Sequence, residues 1–290
     1  MSAENHIRNP FELGLESLTE AALAAGHAVS AKHRPKVAHA PPVVREIVAG
    51  DLWDALRKGA ADLGAYRADV LFVCLIYPLA GLALAQIAYG HAMLPLVFPL
   101  ISGFALIGPV AAVGLYEISR RREQGVHINW ADAFSVVRSP AFGSIAILGL
   151  LLIAVFLLWL GAAYAIYMAT LGPAAPASIT AFVRDVFLTG AGWTMIVAGV
   201  GVGFLFAVAT FAISVVSFPL LLDRGVGVGQ AISTSIRAVR ANPGTMALWG
   251  LIVAGGLVLG SLPGLVGLIL VMPLLGHATW HLYRKVVAPA

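Results

Sequence analysis

The chain has 290 residues, 60% of them apolar and only 11% charged, with a mean hydropathy of +0.90 and a formal net charge of +4. That balance excludes an ordinary water-soluble domain, in which about a quarter of residues are charged, and it excludes a wholly disordered chain. A single cysteine, Cys74, excludes an intrachain disulfide and a thiolate metal cluster.

Residues 1–49 are polar and mixed in charge, with no apolar core of a secretory leader. We expect a mostly disordered cytoplasmic tail, with a short surface helix over 11–25 carrying Leu15, Leu18, Ala22 and Ala25. His6, His27, His33 and His39 lie here at spacings that match no metal motif.

Over 51–66, Leu52, Leu56, Ala60 and Leu63 share one helical face, with Asp54, Arg57, Lys58 and Asp62 elsewhere. The pattern predicts a helix lying on a membrane surface. It recurs at Trp130, Phe134 and Val137 after an Asn129 cap, and again at Val228, Ile232, Ile236 and Val239. Each stretch ends in an arginine ahead of turn or helix-starting residues: Arg67-Ala-Asp69, Arg138-Ser-Pro140 and Arg240-Ala-Asn-Pro243.

Six runs, near 70–89, 94–119, 141–170, 190–222, 245–262 and 263–283, approach or exceed the length of about 20 apolar residues that a transmembrane helix needs. They are apolar all round, which excludes the alternation of barrel strands, and helices close their own backbone hydrogen bonds in hydrocarbon. The expected fold is an all-α membrane protein of six transmembrane helices, arranged as three hairpins that each follow an interfacial amphipathic helix. A threefold repeat would then occupy 50–122, 129–224 and 226–285, within a membrane domain of 50–287 after the 1–49 tail. The second span of each unit carries a proline before its exit: Pro109, Pro219 and Pro273. Eight and eleven residues after Pro109 stand Glu117 and Arg120, and the same offsets from Pro273 give His281 and Arg284. The middle unit reaches Asp223 and Arg224 sooner.

The cations divide by side. Arg120, Arg121, Arg122 and Arg138 lie between the second and third runs. Arg224, Arg237 and Arg240 lie between the fourth and fifth, Arg284 and Lys285 follow the sixth, and the tail is also basic. The connections on the other side hold only Arg184. The positive-inside rule then gives a multi-pass protein of the bacterial inner membrane with both termini cytoplasmic. Its basic face suits anionic lipid headgroups and not nucleic acid.

Glu117, Arg120, Arg121, Asp223, His277, His281 and Arg284 all fall near the cytoplasmic ends of spans. They form a candidate polar cluster facing a cavity between hairpins, or else they reach headgroups and water, with Glu117 paired to Arg120 or Arg121 along the helix. The second reading carries more weight, because span ends tolerate charge that costs at least ~2.5 kcal/mol at the midplane. His277 and His281 stand at i,i+4, a spacing that zinc and haem sites use. GHATWH has no metalloprotease glutamate, and a third ligand would come from another helix, with Glu117 or Asp223 available in kind. An interfacial belt with Trp280 and Tyr283 is the weightier reading. Gly225-Val-Gly227-Val-Gly229 lacks the lysine and hydroxyl of a phosphate loop and reads as a turn. Gly199/Gly203 and Gly256/Gly260/Gly264 are spacings that let helices approach closely. No Ser-His-Asp set or carboxylate pair is placed for catalysis, so we expect neither an enzyme nor a resident cofactor.

At GLYEISRRREQG (114–125), SFPLLLDRG (217–225) and GHATWHLYRK (276–285), the chain resembles the bacterial family of predicted integral membrane proteins called Domain of Unknown Function 2189, over roughly 43–287. The resemblance implies a helical membrane fold and no catalytic residue. Some members carry a cytochrome c oxidase label, but this chain lacks the histidine-bearing midplane helices and the length of a haem-copper catalytic subunit. The expectation is a non-enzymatic accessory or scaffold subunit of an envelope or respiratory complex, with membrane-protein partners. The alternatives are a carrier or binder of lipid or a small hydrophobic solute in a cavity opened at the prolines, and haem or metal handling through His277 and His281.

Overall fold

The computed structural model describes residues 42–65, 94–126, 130–172, 176 and 178–289. The expected 70–89 span, the 11–25 helix, the four tail histidines, Cys74, Arg67 and Asn129 lie outside these residues. The first described helix is α1 (Ala49–Ala65). Next, α2 (Leu94–Phe104) continues through a 3₁₀ turn, η1 (Ala105–Ile107), and α3 (Gly108–Ala111) into α4 (Val113–Glu123). Proline supplies no amide for the carbonyl four residues back. Pro109 therefore releases the Ala105 carbonyl, where the helix tightens to 3₁₀ geometry. Pro219 likewise releases Val215, where the helix of α7 (Gly190–Ser214) and α8 (Ser217–Asp223) is interrupted.

Among the described residues four helices are long and apolar enough to cross a membrane: Leu94–Glu123, Phe142–Thr170 (α5), Gly190–Asp223 and Pro243–Ser261 (α10). The expected run at 263–283 opens in a turn with left-handed φ at Gly264 (62°) and Leu265 (70°). It continues as α11 (Leu268–Val286), which is not one of the four. From Pro273 onward most of α11 is buried in protein, with His277 and His281 inside.

The spans touch one another sparingly. Trp159 of α5 lies between Gly103 of α2 and Gly203 of α7, where an added Cβ would come within 2.6 and 2.9 Å of the indole. Its Nε1 donates to the Pro99 carbonyl at 2.9 Å. Gly256 and Gly260 of α10 meet Leu268, Val271 and Leu275 of α11, whereas Gly199 meets nothing within 4 Å. Away from these seams Leu150, Leu158, Val200, Phe204 and Leu205 are exposed. In a helical membrane protein such surface is suited to lipid.

One end of the bundle is packed like a soluble core. Here α4, α8 and the second half of α11 meet around Tyr116, Phe218, Leu221, Trp280 and Tyr283. Three further helices lie against these exit helices. α1 packs on α11, the 3₁₀ helix η2 (Trp130–Arg138) on α4, and α9 (Val228–Ala241) on α8. They approach through small residues. A Cβ on Gly59 would lie 2.6 Å from the Ala278 nitrogen, and one on Gly114 would lie 3.0 Å from the Ala133 carbonyl oxygen. The Ser235 hydroxyl accepts from the Val216 amide at 3.2 Å.

These contacts correct the expected faces. On α1 the buried side is Leu52, Ala55, Gly59 and Asp62, while Ala60 is exposed and Leu56 and Leu63 are half-buried. On η2, which is 3₁₀ and not α-helical, Ala133 and Val136 are buried while Phe134 and Val137 are exposed. On α9 the buried residues are Ala231, Thr234, Ser235 and Ala238, and the expected stripe of Val228, Ile232, Ile236 and Val239 is half-buried. The reason is that each of these helices docks on another helix. Close backbone approach favours small side chains on the docking face, leaving the bulky ones at its edges.

The two ends of the described chain meet. Val44 pairs antiparallel with Val287, and the Arg45 amide donates to the Val286 carbonyl at 2.7 Å. Asn242, between α9 and α10, accepts from the Ile47 amide at 2.7 Å and donates to the Arg45 carbonyl at 3.0 Å.

Candidate functional site

The packed end is built around a carboxylate. Asp62 projects from α1 toward α4 and α11, on the same helical side as Leu52, Ala55 and Gly59, and is 4% exposed. A buried carboxylate is tolerated only when its oxygens are satisfied. Oδ1 accepts from Arg122 Nη1 at 2.6 Å. Oδ2 accepts from the Ser119 hydroxyl at 2.5 Å and lies 2.8 Å from His281 Nε2. Burial works to raise the Asp62 pKa, but the hydrogen bonds from His281 and Ser119, with the neighbouring histidine charge, outweigh it and hold the carboxyl below its ordinary range.

Ser119 has one proton, and Asp62 takes the hydrogen bond it makes. The contact with His277 Nδ1 at 2.8 Å is then a bond in which the imidazole donates, which fixes the Nδ1–H tautomer. His277 is completely buried, and its Nε2 has no partner. A nucleophilic serine gives its proton to the imidazole. Here Ser119 and His277 tie α4 to α11 and, through Asp62, to α1.

Two more groups adjoin this one. Glu117 of α4 is 2% exposed, and it accepts from Arg120 at 2.8 and 3.0 Å and from Arg121 at 2.7 Å. Arg121 extends to Asp132 at 2.7 Å and Ser135 at 2.9 Å on η2. Asp223 of α8 accepts from the Tyr283 hydroxyl at 2.6 Å and pairs with Arg284 at 3.4 Å and Arg224 at 3.6 Å. Glu123 links the Asp223 group to the Asp62 group, with its carboxylate 3.2 Å from Arg284 and 3.6 Å from His281 Nδ1. Arg224 also donates to the Ala288 carbonyl.

All seven polar residues singled out from sequence thus lie at this end, divided among three groups. Glu117, Arg120 and Arg121 form one, Asp223 and Arg284 the second, and His277 and His281 the third. Sequence reasoning missed Asp62, Ser119, Arg122, Glu123 and Tyr283. For Asp62 a signal existed, because positions 52, 55, 59 and 62 follow a helical repeat through two small residues. The two histidines direct Nδ1 of His277 at Ser119 and Nε2 of His281 at Asp62. Among the described residues no group of three or more His, Cys, Asp or Glu side chains could hold a metal ion.

Residues 97–223 match a family model described as predicted integral membrane protein (DUF2189). The match runs from within α2 to the end of α8. It contains all of GLYEISRRREQG (114–125) and the first seven residues of SFPLLLDRG (217–225), and stops before GHATWHLYRK. The family description carries residence in a membrane and no activity. No curated protein and no solved structure matches the chain.

Proposed function

We propose that this protein is a non-enzymatic scaffold of the bacterial inner membrane. In this reading its hairpins are tied together at the cytoplasmic face and offer their apolar flanks to lipid and to the spans of partner proteins. The observation that supports it is the internal saturation of the buried carboxylates: every oxygen of Asp62 and Glu117 accepts from a donor of the same chain. Groups held this way fix helix ends and leave little for a diffusing substrate. Arg120, Arg121, Arg122, Arg284 and Lys285 at the same end support its cytoplasmic placement.

The same reading includes the threefold repeat. The cyclic docking of α1 on α11, η2 on α4 and α9 on α8 supports it, and so do two corresponding ion pairs. Asp54 precedes the docking Ala55 and pairs with Lys285 at 2.8 Å, while Asp132 precedes the docking Ala133 and pairs with Arg121 at 2.7 Å. Lys285 and Arg121 each stand twelve residues after their unit's proline. At the third joint Gln230 precedes Ala231 in place of the acid. The repeat unit would then dock by a small residue flanked by an ion pair.

A carrier of lipid or a small hydrophobic solute is the second reading. It is favoured by the openness of the Gly190–Asp223 helix, where Val197, Val200, Phe204, Leu205 and Val208 are exposed. Purification in mild detergent separates the readings. The scaffold reading expects defined membrane proteins to co-purify with the wild type and to be lost from Gly199→Leu, a change on an open span surface. Isolation of the chain alone with one stoichiometric lipid species would favour the carrier, and a haem absorbance band would favour the third reading.

A further inference from the structure

The connection between α5 and α7, at the end of the bundle away from the Asp62 knot, contains a helix that the sequence pattern did not announce: α6 (Ile179–Leu188). It is rigidly mounted. The Ser178 hydroxyl accepts from the Ala181 amide at 3.0 Å to cap its start. A single residue, Thr189, joins it to α7. The Thr189 hydroxyl donates to the Asp185 carbonyl at 2.6 Å and accepts from the Gly192 amide at 3.0 Å. Gly192 is required at this corner, because a Cβ there would lie 2.2 Å from the Val186 carbonyl oxygen. Trp193 Nε1 adds a bond to the Phe187 carbonyl at 3.1 Å.

Around the helix a protein-facing side, an apolar flank and a polar flank follow one another, the polar flank ending at Leu188, which is 76% exposed. Phe182 and Val186 face the protein, Phe182 meeting Tyr167 of α5 edge-on with ring centroids 6.5 Å apart and Val186 being buried. Beside them Ile179, Val183 and Phe187 form an apolar flank that is 46%, 47% and 55% exposed. Thr180 and Arg184, both exposed, lie on the far side of that flank. The apolar flank is continuous with exposed span surface: Tyr164 and Met168 in the last turns of α5, and Trp193 and Val197 in the first turns of α7. Two of these four are aromatic residues of the kind that collects at headgroup level.

We propose that α6 is a membrane-interface helix of the opposite leaflet. It sinks Ile179, Val183 and Phe187 among acyl chains, keeps Thr180 and Arg184 in water, and fixes the depth of the α5–α7 hairpin. The occupant of the apolar flank is lipid, since the flank prolongs the surface that the neighbouring spans present to the bilayer. This rests on membrane residence alone and not on the scaffold reading. Failure to recover protein partners would leave it standing.

The test uses purified protein in nanodiscs of phosphatidylglycerol and phosphatidylcholine. Single cysteines replace Thr180, Val183, Arg184 or Phe187 on a Cys74→Ser background and react with a membrane-impermeant maleimide. The expected result is labelling at 183 and 187 about tenfold or more slower than at 180 and 184. Equal rates at all four positions would overturn the proposal, because the flank would then be a water-exposed surface open to a soluble partner. Protection of 184 as strong as that of 183 would overturn it too, by placing the whole helix inside protein or lipid. Hydroxyl-radical footprinting of the unmodified chain in the same nanodiscs reads Phe187 directly. Protection of Phe187 comparable to that of Phe204 on the open α7 surface supports the proposal, and modification about tenfold faster than at Phe204 overturns it.

Discussion

Replacing Asp62 by Asn keeps the shape of the side chain and removes its charge. Three donors converge on the native carboxylate: Ser119, His281 and Arg122. Arg122 is 36% exposed in its side chain, so water takes over its hydrogen bond and that pair is worth no more than about 1 kcal/mol. Ser119 and His281 are buried, and a hydrogen bond to a charged acceptor contributes roughly 1.5–3 kcal/mol. The amide oxygen of Asn retains one of the two, while its NH₂ meets a donor or the guanidinium. The expected loss is about 2–4 kcal/mol, within the range for breaking a buried charged pair. Unfolding in mild detergent, followed by fluorescence of the buried Trp249 and Trp280, measures it. Asp54→Asn is the control, because its lysine partners are 51% and 33% exposed and its cost should stay below about 1 kcal/mol. An Asp62→Asn variant within about 0.5 kcal/mol of wild type would refute the idea that this carboxylate ties the helix ends.

The depressed pKa of Asp62 sets a pH signature. A carboxyl whose folded-state pKa lies below its unfolded value of about 3.9 stabilises fully above that value and loses the contribution as pH falls through the folded value. The stability gap between wild type and Asp62→Asn should therefore be present at neutral pH and close below about pH 4; a gap that widens on acidification contradicts the assignment. Gly59→Ala places a methyl against the backbone of Ala278 and should cost about 1–3 kcal/mol. Gly64→Ala on the same helix meets nothing within 4 Å and should be neutral or slightly stabilising, so equal effects in melting experiments would argue against docking through Gly59. Asn242→Ala strips partners from the Ile47 amide and Arg45 carbonyl, which should cost about 1–3 kcal/mol and speed protease cleavage within 42–48. An unchanged digestion pattern would show that the segment is held by other contacts.

The expected runs near 94–119, 141–170, 190–222 and 245–262, which fall on helices long and apolar enough to cross a membrane, were legible because an uninterrupted apolar run carries its meaning locally. The break points were legible too, since Pro109 and Pro219 act on carbonyls four residues back. The pairing of Glu117 with Arg120 and Arg121 also follows from spacing along one helix. Asp62 was not read as buried because periodicity counts apolar residues, whereas its burial depends on partners 57 and 219 positions away. The docking faces of α1, η2 and α9 were misassigned for a related reason. Pattern analysis seeks the bulky stripe that meets oil, and these helices meet α11, α4 and α8 through Ala, Gly and Ser. The helix α6 escaped because ten residues containing Arg184 and Asp185 between two long spans carry too weak a signal, and its start and end depend on hydroxyl caps.

The claim on which the account depends is that the three exit helices emerge together on one face of a bilayer, and sided cysteine labelling tests it most directly. Single cysteines at Gln124, after α4, at Gly225, after α8, and at Ala288, after α11, would be probed in sealed inverted and right-side-out vesicles beside one at Ser178. Cysteines at 124, 225 and 288 are expected to react only from the cytoplasmic side and that at 178 only from the other. Reaction of 124 and 288 from opposite sides would contradict it, since Asp62 could not then join α4 to α11.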